Sequence, residues 1–320
     1  METNARLEVK HLTRRYGDLP AVDDVSFSVA AGQVFCLLGP SGCGKSTTLR
    51  MIAGVEDVDD GEIFLRGSMV SGDNVNVLPE NRGIGLMFQD FALFPHLTVG
   101  ENIGFGVPAQ KRIKRVGELI DRVGLGGMAQ RYPHELSGGE QQRVALARAL
   151  APGPGVMLMD EPFSSLDDRL RDEVRDATLE LLKDSGAAVL LVTHEPAEAM
   201  RMGDEIGLMR NGRIVQQGSP YTIYNNPVDL KAAGFFSDIN VIRGRVNGAL
   251  CTTAFGEFLV PGVADGTDVD IVIRPQVVVV PMPPKQAKTL SSCSSASTTV
   301  GAITSSRKTQ NAFITPSSKS

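Results

Sequence analysis

The sequence predicts an α/β fold with a mainly parallel sheet, followed by a small all-β module. Short, wholly apolar runs at Val34–Leu38, Val156–Met159 and Ala188–Val192 end in glycine or polar residues, as buried parallel strands do. Residues 99–150, between the first two of these runs, have helical periodicity. Strands that alternate with helices are typical of a parallel sheet, in which ligands bind beyond the carboxyl ends of the strands.

Local patterns predict the remaining elements of the first domain. Residues 7–35 alternate as short, half-buried strands with turns, and residues 62–67 form another strand. Residues 46–53 are predicted to form a helix that the following glycine stops. We expect this domain to span residues 1–238, with a helical subdomain at about residues 90–150.

The character of the sequence changes near Ile239. Short β-prone runs are joined there by the turn dipeptides Asn247-Gly248 and Asp265-Gly266, which predict a small all-β module at residues 239–280. Residues 281–320 are rich in Ser, Thr, Lys and Pro and contain no acidic residue. We expect this last segment to be disordered.

Charge and hydropathy limit the classes of partner. The 320-residue chain has a net charge of −5, and residues 1–270 alone carry −11. Such an acidic body disfavours nucleic acid as a partner, because phosphate neutralisation needs a positive surface.

No apolar run approaches the roughly 20 residues that span a bilayer, and the N-terminus lacks the apolar core of a secretory signal. The four cysteines have no metal-like spacing, so we expect a cytoplasmic protein with reduced thiols.

Residues 39–46 fit the phosphate-binding pattern G-x-x-x-x-G-K-[ST] and lie between a predicted strand and a predicted helix, the context that the pattern requires. Small residues let backbone N–H groups approach phosphates closely, and the helix N-terminus adds its positive end. Lys45 is expected to face the β- and γ-phosphates, and the Ser46 hydroxyl is placed for Mg²⁺. The alternative is a glycine-rich turn with an incidental Lys-Ser pair.

Polar residues that follow the other predicted strands would complete a phosphate-hydrolysing site. Asp160 is suited to hold Mg²⁺, and Glu161 to polarise the attacking water as general base. His194 ends a neighbouring strand and could donate to the γ-phosphate. Gln89 could reach Mg²⁺ or the attacking water. Taken singly, the acid pair is better explained as a solvent-exposed strand end and the histidine as a structural or solvated residue. The order of these strands after the phosphate loop favours the site instead.

Residues 136–143 have the sequence LSGGEQQR. Ser137 and Glu140 form the pattern of a capping box at a helix start. Gly138 and Gly139 leave the N-terminus of that helix open, so an anion could reach its N–H groups. Nothing local says where the anion comes from, and an ordinary capped helix is the alternative.

This octet resembles the signature motif of the ABC ATPases, a family of P-loop NTPases, and the resemblance covers about residues 7–275. It implies an α/β core with antiparallel β and helical subdomains, and ATP and Mg²⁺ as cofactors. The order of motifs is also similar to that of the family: Tyr16, the phosphate loop, Gln89, the signature, Val156–Glu161, Ser164–Asp167 and His194.

The resemblance implies a dimer of two copies packed head to tail, with each ATP between one subunit's phosphate loop and the other's signature. Asp167 would lie at the dimer seam, and Gln89 would link the nucleotide to an integral membrane permease. Tyr16 would stack on adenine. The implied ATP-binding residues are Tyr16, Gly39, Pro40, Ser41, Gly42, Cys43, Gly44, Lys45, Ser46 and Thr47, and the partner's ATP would face Ser137, Gly138, Gly139 and Glu140. The implied Mg²⁺ ligands are Ser46, Gln89 and Asp160, and the implied catalytic residues are Glu161, His194, Gln89 and Lys45.

Two segments resemble parts of bacterial importers. Asp90–His96 is similar to the segment that receives the permease's coupling helix, although its aromatic residues are equally explained as ordinary core. The β module is similar to the transport-associated OB-type domain of importer ATPases, but it lacks the further strands of those proteins. We hypothesise that a reading-frame change in the gene truncated it.

The resemblance implies the ATPase subunit of a bacterial importer at the cytoplasmic face of the inner membrane, served by a periplasmic or surface solute-binding protein. Residues 14–17 and 85–96 look closest to the ferric iron and polyamine branch, and we expect ferric iron. Polyamine, thiamine, sulfate or sugar import stays open. A non-transport ABC ATPase would usually carry two modules or a long coiled coil, which the sequence does not suggest. A regulatory module with incidental hydrolysis is disfavoured by Glu161 and His194.

Overall fold

The computed structural model describes residues 5–164, 166, 168–253, 256–260, 262–274 and 312–316. The chain divides into two compact units, Met1–Ile223 and Tyr224–Ser320. This division falls earlier than the boundary after residue 238 that we expected from the sequence. The reason lies within the second unit, where the Arg274 guanidinium stacks 3.7 Å from the ring centroid of Tyr224 and its Nε donates to Ser237 Oγ at 2.9 Å.

A six-stranded sheet forms the centre of the first unit. Its strands are β3 (Val34–Leu38), β7 (Ile84–Met87), β8 (Val156–Asp160), β9 (Ala188–Thr193), β10 (Glu205–Arg210) and β11 (Arg213–Gly218), in the order β11-β10-β3-β9-β8-β7. Every neighbouring pair is parallel except β10 with β11. Strands β3, β8 and β9 are buried at every residue. The parallel sheet predicted from the wholly apolar runs is therefore confirmed.

A second, antiparallel sheet packs beside it. Its strands are β1 (Ala5–Tyr16), β2 (Leu19–Ala30), β4 (Asp60–Leu65), β5 (Ser68–Gly72) and β6 (Val75–Asn76), in the order β2-β1-β4-β5-β6. The prediction of short strands in residues 7–35 was wrong, because β1 and β2 are 12 residues each. Irregularities in their shared register let such long strands bend. Phe27 and Phe35 stack with centroids 4.7 Å apart and join the cores of the two sheets.

Eight helices lie within the described residues: six in the first unit, one across the division between the units and one in the second unit. They are α1 (Lys45–Ala53), α2 (Val99–Gly104), α3 (Ala109–Arg122), α4 (Gly138–Leu150), α5 (Asp168–Ser185), α6 (Pro196–Met202), α7 (Pro220–Asn225) and α8 (Leu230–Phe236), with 3₁₀ turns at Pro79–Asn81 and Pro133–Glu135. Helix α1 ends at Gly54, whose φ of 81° is left-handed, as the sequence predicted. Residues 90–150 contain α2, α3 and α4. Within the described residues, no helix is long and apolar enough to cross a bilayer.

The second unit contains a five-stranded antiparallel sheet. Its strands are β12 (Asn240–Asn247), β13 (Leu250–Thr253), β14 (Gly256–Leu259), β15 (Asp268–Ile273) and β16 (Ala312–Pro316), in the order β14-β13-β12-β15-β16. Strand β16 lies in the segment that we expected to be disordered, so that prediction was wrong for residues 312–316. Strand β16 pairs with the free edge that β15 would otherwise expose, and Phe313 and Ile314 favour a strand there. The rest of residues 281–320 lies outside the described residues, and the OB-type assignment stays a prediction.

Candidate functional site

Four neighbouring strands bring the predicted site residues to one edge of the central sheet. Strands β3, β9, β8 and β7 run parallel, with Leu38 beside Thr193, Asp160 beside Val192 and Met87 beside Met159. The loops that follow these strands therefore leave from the same edge. They carry the phosphate-loop motif, His194, Glu161 and Gln89.

The phosphate loop closes on itself around Lys45. The side chain is only 4% exposed, and its Nζ donates to the carbonyl oxygens of Gly39 at 2.9 Å and Pro40 at 3.0 Å. A cavity of about 180 Å³ opens at the loop, beside the N-terminus of α1. It is lined by Ala21, Ser41, Gly42, Gly44, Lys45, Ser46, Thr47 and Glu161. Loop N–H groups, a lysine and a helix N-terminus around one cavity suit a polyphosphate.

Two glycines of this loop are required by packing. A Cβ at Gly39 would lie 2.2 Å from Met209 O, and a Cβ at Gly44 would lie 2.2 Å from Ala21 O. Gly44 also has a φ of 106°, which side-chain-bearing residues rarely adopt. Gly42 has a φ of 78°, but its Cβ would meet nothing within 4 Å. The loop conformation therefore depends on glycine for two different reasons, contact and backbone strain.

Ser46 and Asp160 are joined across the edge of the sheet. Ser46 Oγ donates to Asp160 Oδ1 at 2.8 Å, and Asp160 is 5% exposed. Burial raises the pKa of the Asp160 carboxyl, and the hydrogen bond from Ser46 acts against that rise. A hydroxyl and a buried carboxylate are hard oxygen donors of the kind that Mg²⁺ prefers. Among the described residues, no group of three or more His, Cys, Asp or Glu side chains could hold a metal ion.

Glu161 and His194 are in direct contact. His194 Nδ1 lies 3.0 Å from Glu161 Oε2, and the Glu161 N–H donates to Val192 O at 2.9 Å. Glu161 has a φ of 46°, a left-handed conformation that is strained for a non-glycine residue. Sequence reasoning gave the two residues separate roles and did not foresee this contact. The contact could have been predicted from the positions of Glu161 and His194 directly after two strands that lie next to each other in the sheet.

Gln89 lies near the same edge on the other side of Asp160. The two residues line a cavity of about 650 Å³, together with Arg50, Phe88, Asp90 and Ser164. Ser164 Oγ donates to Glu161 O at 2.9 Å. Ser164 was not among the predicted site residues, although its place three residues after Glu161 could have suggested it. Asp167, which we expected at a dimer seam, lies outside the described residues.

Tyr16 lies at the end of β1 and is 51% exposed. The Arg14 guanidinium lies 5.2 Å from the centroid of its ring. Arg14 is itself held by Glu56 at 2.8 Å and Asp59 at 2.7 Å. Tyr16 is not among the residues that line the phosphate-loop cavity, so its stacking on adenine stays a prediction.

The predicted capping box at the start of α4 is present. Ser137 Oγ accepts from the Glu140 N–H at 3.4 Å, and the Ser137 N–H donates to Glu140 Oε2 at 2.7 Å. Hydrogen bonds from Ser137 lower the pKa of Glu140. Within the part of the chain that the structure describes, a Cβ at Gly138 would meet nothing within 4 Å, and one at Gly139 would meet Val174 at 3.9 Å. None of Ser137, Gly138, Gly139 and Glu140 lines the phosphate-loop cavity of its own chain.

The parallel sheet, the phosphate loop and the acid pair at the end of β8 define a P-loop nucleotide hydrolase. Comparison with known proteins is more specific. Residues 22–164 match the family model described as ABC transporter. The Fe(3+) ions import ATP-binding protein FbpC of Mesorhizobium japonicum is 44% identical over 276 residues, which are 85% of this chain and 76% of that protein. The chain belongs to the ABC transporter family, as one of its ATP-hydrolysing subunits.

Other relatives agree with this assignment. The spermidine/putrescine import ATP-binding protein PotA of Chromobacterium violaceum is 42% identical over 288 residues, 86% of this chain and 79% of that protein. The dimeric structure of a bacterial ABC transporter cassette superposes with a TM-score of 0.58 at 31% sequence identity. That superposition covers 67% of this chain and 98% of the cassette.

Proposed function

We propose that the chain is the ATP-hydrolysing subunit of a bacterial importer and that it drives uptake through a separate permease. One observation carries the assignment of the site. The phosphate loop, the Ser46–Asp160 hydrogen bond of 2.8 Å and the Glu161–His194 contact of 3.0 Å lie at one edge of a parallel sheet. Phosphoryl transfer depends mainly on positioning and charge stabilisation, which such an arrangement can supply.

Each residue has a separate role in this proposal. Lys45 leaves its two loop carbonyls to bind the β- and γ-phosphates. Glu161 accepts the proton of the attacking water, and His194 orients the Glu161 carboxylate and donates to the γ-phosphate. Gln89 positions the attacking water from the other side of Asp160. Tyr16 stacks on the adenine ring, with Arg14 behind it.

The oxygen donors of this edge also fit a magnesium ion. Ser46 and Asp160 would hold it, with Gln89 nearby, and the remaining ligands would be phosphate and water oxygens, as is usual for Mg²⁺. Bound there, the ion would neutralise phosphate charge and would relieve the desolvation that raises the pKa of Asp160. The small number of protein ligands supports a site that is completed by substrate.

A second copy of the chain completes the site in this proposal. The signature residues lie at an open helix N-terminus, which favours an anion. Among the described residues, no close contact requires glycine at Gly138 or Gly139. Both features are explained if Ser137, Gly138 and Gly139 face the γ-phosphate bound to the other copy, with Asp167 at the seam. The solved structure of a bacterial ABC transporter cassette that this chain resembles is described as dimeric, which supports the pairing of two copies.

The functions by which the relatives are described support import as the process and ferric iron as the solute. FbpC is described as importing Fe(3+) ions and PotA as importing spermidine and putrescine. We propose that two copies of the chain dock on a permease at the cytoplasmic face of the inner membrane, and that a periplasmic or surface solute-binding protein delivers the solute. Polyamine uptake is the second candidate because PotA covers a similar share of the chain.

The substitution Glu161→Gln tests the hydrolytic assignment. We expect it to keep ATP binding and to lower kcat by about 10²–10⁴-fold, the usual contribution of a general base. The trapped ATP should also shift the purified subunit from monomer to dimer in size-exclusion chromatography. Glu118→Gln on α3 is the matched control and should behave like the wild type. Full turnover in the Glu161 variant would contradict the role of this residue.

The solute is tested in a strain that lacks the gene. Uptake of radiolabelled ferric iron and of radiolabelled spermidine is measured after complementation with the wild type or with Glu161→Gln. We expect only the wild type to restore iron uptake. Restored spermidine uptake with unchanged iron uptake would favour the polyamine alternative.

A further inference from the structure

Arg148, in the last turn of α4, contacts the segment that follows Gln89. Its Nη1 donates to Ala92 O at 2.7 Å and its Nη2 donates to Phe91 O at 2.8 Å. The guanidinium also lies 5.2 Å from the centroid of the Phe94 ring. One half-buried side chain therefore holds three residues of a loop that lies far from it in sequence.

The two residues whose carbonyls Arg148 binds have unusual backbone angles. Phe91 has a φ of 60° and Ala92 a φ of 45°, both in the left-handed region. Non-glycine residues occupy this region at a cost, so two in succession persist only where the surroundings hold them. The paired hydrogen bonds from Arg148 supply such a restraint at both residues. They also favour this loop conformation over an unstrained one.

Gln89 lies inside the turn that this restraint closes. The Phe91 N–H donates to Phe88 O at 3.1 Å, so Gln89 and Asp90 form the middle of a tight turn. Arg148 binds the last residue of that turn through Phe91 O. The position of the Gln89 backbone therefore depends on Arg148, although the two side chains belong to different elements.

Helix α4 connects this restraint to the signature. Ser137 caps the helix at one end and Arg148 lies near the other, about 16 Å away at 1.5 Å per residue. A displacement of α4 would move the Phe91 and Ala92 carbonyls with it. On the far side the loop is fixed by the buried Asn102, whose Oδ1 accepts from the Phe94 N–H at 2.9 Å.

We propose that Arg148 is a positioning residue for Gln89, and that it links the signature helix to the Gln89 turn within one chain. The inference rests on the role given to Gln89 under the proposed function. Arg148 contacts no nucleotide in this proposal. It holds a strained turn in the conformation from which Gln89 reaches the attacking water.

The test compares steady-state ATP hydrolysis by the full-length wild type, Arg148→Met and Arg148→Lys. We expect Arg148→Met to lower kcat by about 10–10²-fold, the effect of a small displacement of a positioned group, and to leave KM for ATP unchanged. Arg148→Lys keeps the charge but replaces the planar two-nitrogen fork with a single ammonium group, so its kcat should lie between those of the wild type and Arg148→Met. It also keeps the test decisive if the methionine variant folds poorly.

Arg115→Met is the matched control. Arg115 also donates to two backbone carbonyls, those of Leu150 and Ala151, at 3.2 Å each. These two hydrogen bonds join Arg115 to the end of α4, and neither of them involves the Gln89 turn. We expect its kcat to match the wild type. An equal loss of kcat in Arg115→Met would overturn the inference, because general loosening of α4 would then explain both variants.

A double-mutant cycle with Gln89→Ala separates positioning from an independent effect. If Arg148 acts through Gln89, the double variant loses no more kcat than the more affected single variant. Multiplied losses would overturn the inference, and so would an unchanged kcat in Gln89→Ala or in both Arg148 variants. The proposed function fails separately, through absence of hydrolysis in the wild type.

Discussion

The two glycine-containing motifs of this chain have glycine for different reasons. In the phosphate loop, a Cβ at Gly39 or Gly44 would lie 2.2 Å from a carbonyl oxygen of the same chain. At the start of α4, a Cβ at Gly138 would meet nothing within 4 Å. The fold of one subunit therefore explains the first pair of glycines but not the signature pair. The second copy of the chain under the proposed function would supply a reason for glycine at these two positions.

Gly44→Ala should have the largest effect. Its Cβ would lie 2.2 Å from Ala21 O at a φ of 106°, so the loop must move. We expect ATP affinity to fall by about 10²-fold, the usual cost of a misplaced binding group. Overpacking should lower the free energy of unfolding by about 1–3 kcal/mol. Nucleotide titration and denaturant unfolding of the purified subunit measure the two quantities.

Gly42→Ala is the control for that experiment. It shares the left-handed φ, at 78°, but its Cβ meets nothing within 4 Å. Backbone strain alone should lower the free energy of unfolding by about 1–2 kcal/mol. ATP affinity should fall less than in Gly44→Ala. Equal losses in the two variants would show that close packing does not separate these glycines.

Gly138→Ala should have an intermediate effect of a different kind. Because the methyl group meets nothing within 4 Å among the described residues, the free energy of unfolding should stay the same or rise by about 0.5 kcal/mol. ATP affinity should not change. A methyl group that faces the partner's γ-phosphate should lower kcat by about 10-fold through misplacement. A variant with full kcat would refute an external reason for this glycine.

Ser137→Ala should have the smallest effect on kcat, and Thr98→Ala offers a matched control. Thr98 caps α2 through the same capping box with Glu101. Both substitutions remove an N-cap and should lower the free energy of unfolding by about 1 kcal/mol. Only Ser137→Ala should also lower kcat, because only this cap is proposed to face a nucleotide. If the two variants have equal kcat values, Ser137 acts only as a helix N-cap and does not face a nucleotide.

Most of the central fold follows from local sequence patterns. The runs Val34–Leu38, Val156–Met159 and Ala188–Val192 became buried parallel strands because only a sheet covered on both faces buries every residue of a strand. The helix after the phosphate loop ended at Gly54 as predicted. The length of β1 and β2 was missed, since bulges that let long strands bend leave no clear periodicity. Strand β16 was missed because it depends on the distant edge of β15.

The sequence by itself determined the chemistry of the site. The spacing of Gly39–Ser46 predicted phosphate binding because this pattern acts through local backbone geometry, and the order of Asp160 and Glu161 after it favoured hydrolysis. Only the tertiary structure decided which groups meet. The Glu161–His194 contact, the Ser46–Asp160 hydrogen bond and the Arg148 bonds to Phe91 and Ala92 each join residues distant in sequence. Such contacts depend on strand order and helix packing, which no local pattern encodes.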